Sequence, residues 1–455
     1  MAFSKIFRAA LVTCTVVGGL SAGTTAFAES LKEALSSAYH SNPTLRADRA
    51  RLRATDELVP QALSGWRPTI TAQGNVDHLW TNSQPGNNGA SLNQSDININ
   101  LNQPIFRGFK TVEGTAVAEA NVRAVRQQLL STEQSVLFNG VQAYMNVVRD
   151  RQIVSLRKRN LGFLQKQLDA STARFNAGEL TRTDVAQSRA SLSGSRASLS
   201  VAVANLQASE ANYLTIVGRR PGKLATPALA KRPRSLDTAL GIAQETNPQI
   251  LAAAQIEDAA THNVEVIKGD LLPSLNLTGR LDHSTNPSAF TNTVDSASIG
   301  GSFVIPIYEA GRVYSGVRQA KQTASQNRIQ VIGAVRAVRE GVTIAWNNVI
   351  AAAQSLVSVR DQLSATNLAL SGVQQEFQVG SRTTIDVLNA QQLVLTSQIT
   401  EVSAVRDQVV ASYQLLSAMG RLTAENLGIG NIYDPTENYR VVRDKWIGLS
   451  VETVE

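Results

Sequence analysis

The chain has 455 residues, 43 basic against 36 acidic, a net charge of +7 and a single cysteine, Cys14. The basic residues are scattered rather than gathered into a stripe, which speaks against nucleic acid as a partner. Without a second thiol there is no disulfide framework or thiolate metal site, and the four histidines, His40, His78, His262 and His283, lie in unrelated patterns.

Residues 1–28 read as a secretory signal peptide. Lys5 and Arg8 open it, an apolar run follows over 9–20, and Ala26-Phe27-Ala28 makes a small-residue cleavage site before Glu29. The run is too short to cross a bilayer as a retained helix. Its removal takes Cys14 away and lowers the net charge to about +5, since Lys5 and Arg8 go with it. A long exported chain without cysteine suits a bacterial envelope better than the class of small disulfide-stapled secreted domains.

What remains is one unit of about 200 residues written twice, which decides the fold class before any local pattern. Asn42-Pro43 matches Asn247-Pro248 and Pro68 matches Pro273. Pro104-Ile-Phe106 matches Pro306-Ile-Tyr308, Tyr144 matches Trp346, and Gly218-Arg219 matches Gly420-Arg421. The division expected is 29–220 for the first unit, 221–235 for a linker, 236–428 for the second unit and 429–455 for a tail.

Each unit opens with a helical stretch, 31–63 or 236–271, interrupted by an Asn-Pro that starts a fresh helix. Past Pro68 and Pro273 the period drops to two. Ile70, Ala72, Gly74, Val76 and Trp80 oppose Thr69, Thr71, Gln73, Asn75 and Asp77; Ile97, Ile99 and Leu101 oppose Asp96, Asn98, Asn100 and Asn102. In the second unit Leu275, Leu277 and Leu281 oppose Asn276, Thr278, Arg280 and Asp282, and Ile299, Phe303, Ile305 and Ile307 oppose Ser298, Gly300 and Ser302. Such runs are strands with one apolar and one polar face, paired through loops expected over 84–90 and 284–292. A length of about ten residues fits a membrane barrel. Four strands cannot close one, and an open edge in lipid would leave backbone groups unpaired, so several chains must share a barrel. Trp66 and Trp80 stand near the ends of the first strand, where an interfacial aromatic belt belongs. A soluble sheet is the alternative from these runs alone.

After each hairpin the period becomes seven. Val147, Val154, Leu161, Leu168 and Phe175 are so spaced, as are Val335, Val342, Val349, Leu356, Leu363, Leu370 and Phe377. The sevens resume in Val185, Leu192, Leu199 and Leu206, and in Leu388, Leu395, Val402, Val409 and Leu416. This is coiled-coil packing rather than a globular core, and about 65 residues of it make roughly 100 Å of helix. The returning helix from Thr183 is shorter by nearly half, and 31–63 has the length to stack end to end with it. Between the paired helices stand two near-copies: Phe175-Asn-Ala-Gly-Glu-Leu-Thr-Arg-Thr-Asp-Val185 and Phe377-Gln-Val-Gly-Ser-Arg-Thr-Thr-Ile-Asp-Val387. Gly178 and Gly380 mark their turns.

The signal peptide, the doubled unit, the Gln103-Pro-Ile-Phe106 and Ile305-Pro-Ile-Tyr308 turns and the two tip motifs together resemble the TolC family of outer-membrane channels. The resemblance spans about 31–428. It implies a homotrimer whose chains each give four strands and two long helical hairpins, closing a 12-stranded β-barrel in outer-membrane lipid and a 12-helix α-barrel across the periplasm. It implies a passive duct with no cofactor and no catalysis, working with a periplasmic adaptor and an inner-membrane RND or ABC transporter to export drugs, detergents and secreted proteins. It also implies that the linker and the segment after Gly420 form a belt around the middle of the helices.

By motif position, the family's periplasmic gate falls on Arg382, linking to Thr183 and Asp184 of the other hairpin, with Asp386 facing the axis and Asn389 three residues on along the same helix face. Three copies of Asp386 on one axis would favour cations. Two departures stand out: Phe377 occupies a family tyrosine position, and Asn389 one that is often aspartate. Asp184 and Asp386 each lie just past a turn, where a carboxylate equally serves as a helix cap. The rival function is a periplasmic adaptor, which also carries long helical hairpins. An enzyme is disfavoured, because no nucleophile–base pair, metal cluster or phosphate loop stands out.

Overall fold

A computed structural model describes residues 29–81, 90–288 and 290–451. The proposed signal peptide and most of the first hairpin loop lie outside the described residues.

The first unit begins with three short helices, α1 (Leu31–Ser41), α2 (Pro43–Asp56) and α3 (Leu58–Leu63). A single 3-10 turn, Ser64–Trp66, leads into β1 (Thr69–Thr81) and β2 (Ala90–Arg107). The long hairpin α4 (Lys110–Asn176) and α5 (Arg182–Val217) follows. The second unit repeats the order with α6 (Leu236–Thr246), α7 (Pro248–Lys268), β3 (Ser274–Ser288), β4 (Thr291–Val304), α8 (Arg312–Gln378) and α9 (Thr384–Ala418). A short α10 (Glu437–Val442) lies in the tail.

The strands form one antiparallel sheet in the order β1-β2-β3-β4, so β1 and β4 are open edges. Its register sorts the two faces. Ile70 pairs with Leu101, Ala72 with Ile99, Ile99 with Leu281 and Gly279 with Ile299, giving one apolar face. Asn75 pairs with Asp96, Asn98 with Asp282 and Arg280 with Ser298, giving one polar face. On the polar face Asn75 donates to Asp96 at 3.1 Å, Asn100 to Asn98 at 2.7 Å, and Arg280 to Asp282 at 3.0 Å. The apolar face is exposed along the chain, with Val76 and Ile299 at 83% and 80% accessibility, as lipid contact requires.

The strands are longer than the expected ten residues, running from 13 to 18. Two expected non-strand segments are absorbed into them. Pro104-Ile-Phe106 stays within β2, where the missing proline N–H is accommodated by a register shift between Pro104 and Phe106. Most of 284–292 continues the β3–β4 ladder, down to the pair Ser288 and Thr291. The turn into α4 falls later, at Gly108 and Phe109, both at positive φ. A Cβ on Gly108 would collide with the Gly269 carbonyl and one on Gly269 with the Gly108 carbonyl, so the two glycines let the barrel base and the helix ends touch.

α4 and α8 are both 67 residues long, about 100 Å at the helical rise. Below the sheet, four helical columns lie side by side: α4 contacts α5 and α9, and α9 contacts α8. Nearer the sheet, α2 and α7 lie against α4 in the places of α5 and α9, with α8 against α7. The two halves of a short column are spliced by asparagine. Asn42 caps α2 by accepting from Thr44 N–H at 3.0 Å, while its Nδ2 donates to the Ile216 carbonyl at the end of α5 at 3.3 Å. Asn247 caps α7 through Gln249 N–H at 2.9 Å and donates to the Ala418 carbonyl of α9 at 2.9 Å. One side chain thus satisfies orphan donors of one helix and an orphan carbonyl of another.

The heptad residues face the core: Val147, Val154, Val342, Val349, Leu356, Leu192, Leu388, Leu395 and Val409 are all buried. Midway along, Tyr144 donates to the Glu29 and Ala225 carbonyls at 2.7 and 2.6 Å, fastening the start of the described chain and the segment after α5 to α4. Arg232 of the same connection lies over Trp346, the repeat partner of Tyr144. The tail, not assigned from sequence, runs from this level towards the sheet. Tyr433 N–H donates to Tyr39 at 3.1 Å, Asn438 to Asp56 at 2.8 Å, and Arg67 to the Lys445 carbonyl at 2.9 Å.

Candidate functional site

The far ends of the helices carry the two repeated motifs, and both fold alike for the same reason. α4 ends in a Schellman closure: Gly178, at φ +82°, donates its N–H to Phe175 while Glu179 N–H reaches the Arg174 carbonyl, both at 2.9 Å. α8 ends in the same way. Gly380, at φ +80°, donates to Phe377 at 3.1 Å, and Ser381 N–H reaches the Glu376 carbonyl at 2.9 Å. The return helices then start on Thr181 and Thr383.

Asp184 and Asp386 close these starts. Asp184 Oδ2 accepts the Thr181 N–H at 3.0 Å and its hydroxyl at 2.7 Å, and Asp184 N–H donates back to Thr181 Oγ1 at 3.3 Å. Asp386 Oδ2 accepts the Thr383 N–H at 2.9 Å and its hydroxyl at 2.7 Å. Both carboxylates therefore sit in capping boxes, the local role that their place after a turn allows. The Thr383 N–H, its hydroxyl and then the Arg382 charge hold the Asp386 carboxyl below its usual range.

Arg382 is placed differently from the sequence expectation. Its Nε donates to Glu376 Oε2 at 2.7 Å, across the turn of its own hairpin, rather than to Thr183 or Asp184. That carboxylate raises the guanidinium pKa further. Within one chain the turn brings residues six apart face to face, and Asp184 accepts from Thr181. Thr183 and Asn389 are exposed, and Asn389 follows Asp386 by one helical turn on α9.

The contact that does bridge the two tips involves Arg174, which the sequence reading passed over. Its guanidinium lies over the Phe377 ring, 5.0 Å from the centroid. A groove of about 250 Å³ beside it is lined by Phe163, Ser171, Arg174, Leu180, Phe377 and Val387. Further up, Leu164, Leu192 and Leu388 form a small core between the hairpins. Asn160 joins three helices there by donating to Ser195 and accepting from Gln391, both at 3.3 Å. The sequence did carry a signal for Arg174 and Glu376: each immediately precedes a motif phenylalanine, at the last helical turn before the break.

A sheet with one apolar and one polar face, long helical hairpins and paired hairpin tips are the parts of a membrane duct, and comparison with known proteins agrees. The model of the outer membrane efflux protein family matches residues 34–219 and 239–421, that is, both units. The chain belongs to this family, the TolC family of outer-membrane channels. It is 41% identical to the outer membrane efflux protein BepC of Brucella suis, over 98% of each chain. It is 27% identical to the outer membrane protein TolC of Escherichia coli, over 88% of this chain and 84% of that one. Its fold matches the CmeC outer membrane channel of Campylobacter jejuni with a TM-score of 0.77, at 16% identity, over 91% of this chain and 89% of that one. The protein is thus an outer-membrane efflux channel and not an enzyme, and the adaptor alternative falls. The family match runs through both hairpins and both strand pairs, and the sheet has the lipid-facing side that a soluble adaptor has no use for.

Proposed function

We propose that three copies of this chain form one continuous duct, open to the exterior through a 12-stranded barrel and closed at the periplasmic helix tips. The observation that carries this is the pair of open edges, β1 and β4, on a sheet whose apolar face is largely exposed. An unpaired edge in hydrocarbon is forbidden, so β4 of one copy must pair with β1 of the next. Three copies supply the smallest such ring that also leaves a water-filled lumen for the polar face. α8 supports the same reading, since Ile329, Ile332, Ile344, Ile350 and Leu368 are exposed along it and need a neighbouring chain.

In this reading the units 29–220 and 236–428 each supply one sixth of the barrel wall, 221–235 is the belt linker and 429–455 the tail. Arg382, Thr183, Asp184, Asp386, Asn389 and Phe377 form the periplasmic aperture, with Arg382 reaching Thr183 and Asp184 of a neighbouring copy. A periplasmic adaptor grips the helices around that aperture and an RND or ABC transporter of the inner membrane feeds it. The cargo class is amphiphilic toxic compounds, such as drugs and detergents, and secreted polypeptides.

Native mass spectrometry of the detergent-purified protein, combined with planar-bilayer recording, tests the assembly. A trimer mass and discrete conductance steps are expected. A monomer that inserts without conductance would remove both the shared barrel and the duct.

A further inference from the structure

Beyond α10 the tail carries four large apolar side chains that are turned outward: Trp446, Ile447, Leu449 and Val451 are 67%, 90%, 101% and 80% accessible. A segment bathed in periplasm does not present four such groups within six positions. Their height on the molecule is fixed by Arg67, the residue after Trp66 and two before β1. Arg67 donates to the Lys445 carbonyl at 2.9 Å, and its guanidinium lies over the Trp446 ring at 4.9 Å. Trp446 therefore stands at the periplasmic rim of the sheet, level with the exposed aromatic side chains of Trp66, Phe109 and Tyr308 where strands give way to helices.

We propose that residues 445–451 are an interfacial anchor that lies in the headgroup zone of the inner leaflet of the outer membrane, with phospholipid as its partner. The occupant follows from continuity with the lipid-facing surface: the apolar band of the sheet ends here, and the tail widens the aromatic girdle at its lower edge. The segment is irregular and so cannot enter hydrocarbon, where its backbone groups would go unpaired, but it can lie at the interface with its side chains directed inward. Lys445 closes the loop by donating to the Ser450 carbonyl at 2.9 Å, which keeps the apolar side chains on the outside and adds a cation at phosphate level. Upstream, Asn438 bonded to Asp56 and Tyr439 bonded to Glu119 at 3.0 Å tie the tail to α2 and α4, so the anchor is fixed to the helical wall. The inference uses the outer-membrane location of the chain and does not depend on how the tips gate.

The test is nitroxide labelling of Leu449→Cys in the full-length protein with Cys14→Ser, reconstituted in phosphatidylethanolamine–phosphatidylglycerol nanodiscs. Val76→Cys on the lipid face and Glu425→Cys on the exposed flank serve as standards. The ratio of collision with oxygen to collision with a water-soluble nickel chelate is expected to rise severalfold at 449 over 425 and to approach that at 76. A ratio equal to that at 425 would place the tail in water. Protection from both reagents would place it against another protein chain. Either result overturns the proposal, whereas the standard at 76 reports independently that the barrel is inserted.

Discussion

The guanidinium of Arg174 lies 5.0 Å from the centre of the Phe377 ring, and this stacking joins the end of α4 to the end of α8. It gives Phe377 a partner on the other hairpin tip. Such a contact at an accessible site contributes about 0.5–1 kcal/mol. Phe377→Ala is therefore expected to shift the closed-to-open balance by about two- to fivefold, read as higher mean conductance in planar bilayers. Arg174→Ala should match it, and the double variant should add little to either. Independent, additive effects would show that the pair does not act as one link.

Arg382 and Glu376 separate two ways of holding the aperture. If Arg382 tethers a neighbouring copy through Thr183 and Asp184, Arg382→Ala raises conductance, while Glu376→Gln frees the arginine for that link and leaves conductance unchanged or lowers it. If the internal pair at 2.7 Å is the whole role, the two variants behave alike. The first pattern is expected, and single-channel recording of the two variants side by side distinguishes them, since both ionic links are exposed and are screened alike by salt.

Asp386 has two tasks that one substitution can part. Asparagine keeps the oxygen that accepts from Thr383 and so preserves the cap, but removes the charge. Asp386→Asn should leave helicity unchanged and weaken block by trivalent cations, an equal blocking constant being the contrary outcome. Because the folded carboxyl titrates below its ordinary value, the cap's contribution is complete above the unfolded pKa and is lost as pH falls through the lower folded one. Acidification below the ordinary aspartate range should therefore loosen the tip of the parent protein and not that of the asparagine variant.

Much of this architecture was legible in residue spacing. The period-two runs gave the sheet its faces because one side meets lipid and the other water, and the sevens marked the buried stripe, since Val154, Leu192, Val349 and Leu395 all lie inward. Strand ends were not legible: Pro104 and the Asn286-Pro287-Ser288 stretch look like breaks, but a register shift and continued ladder pairing absorb them. Nor was the partner of Arg382, because a Schellman turn brings residue i to i+6 through backbone geometry that composition does not encode. The capping boxes were half visible. Thr181 with Asp184 and Thr383 with Asp386 have the right spacing, yet identical spacing also suits a gate.

The asparagine splices predict where the helical wall is weakest. Asn42 and Asn247 are both buried, and each serves a cap and a carbonyl at once. Alanine at either site removes the cap at about 1 kcal/mol and leaves the Ile216 or Ala418 carbonyl without this donor. Each variant is expected to lower the thermal midpoint followed by circular dichroism in detergent, with the double variant additive because the two splices share no partner. An unchanged midpoint for both would show that water replaces the asparagine at the joints.

Glu133 offers the clearest pH dependence away from the tips. It is buried and accepts the Ala424 N–H at 2.6 Å, fastening the segment after α9 to α4. Burial pushes its pKa up, more than the Ala424 hydrogen bond and the Arg49 charge pull it down. A carboxyl raised in the folded state binds its proton more tightly there than in the unfolded chain. Its charged form therefore costs stability, which is lost as pH rises from the ordinary carboxylate range through the folded value. Glu133→Gln keeps the oxygen acceptor without the charge, so the variant should equal the parent at acid pH and exceed it in thermal midpoint at neutral pH. Glu133→Ala instead strands the buried Ala424 N–H, a loss of about 1–3 kcal/mol at either pH. A glutamine variant less stable than the parent at pH 7 would mean that Arg49 or another cation compensates the carboxylate fully.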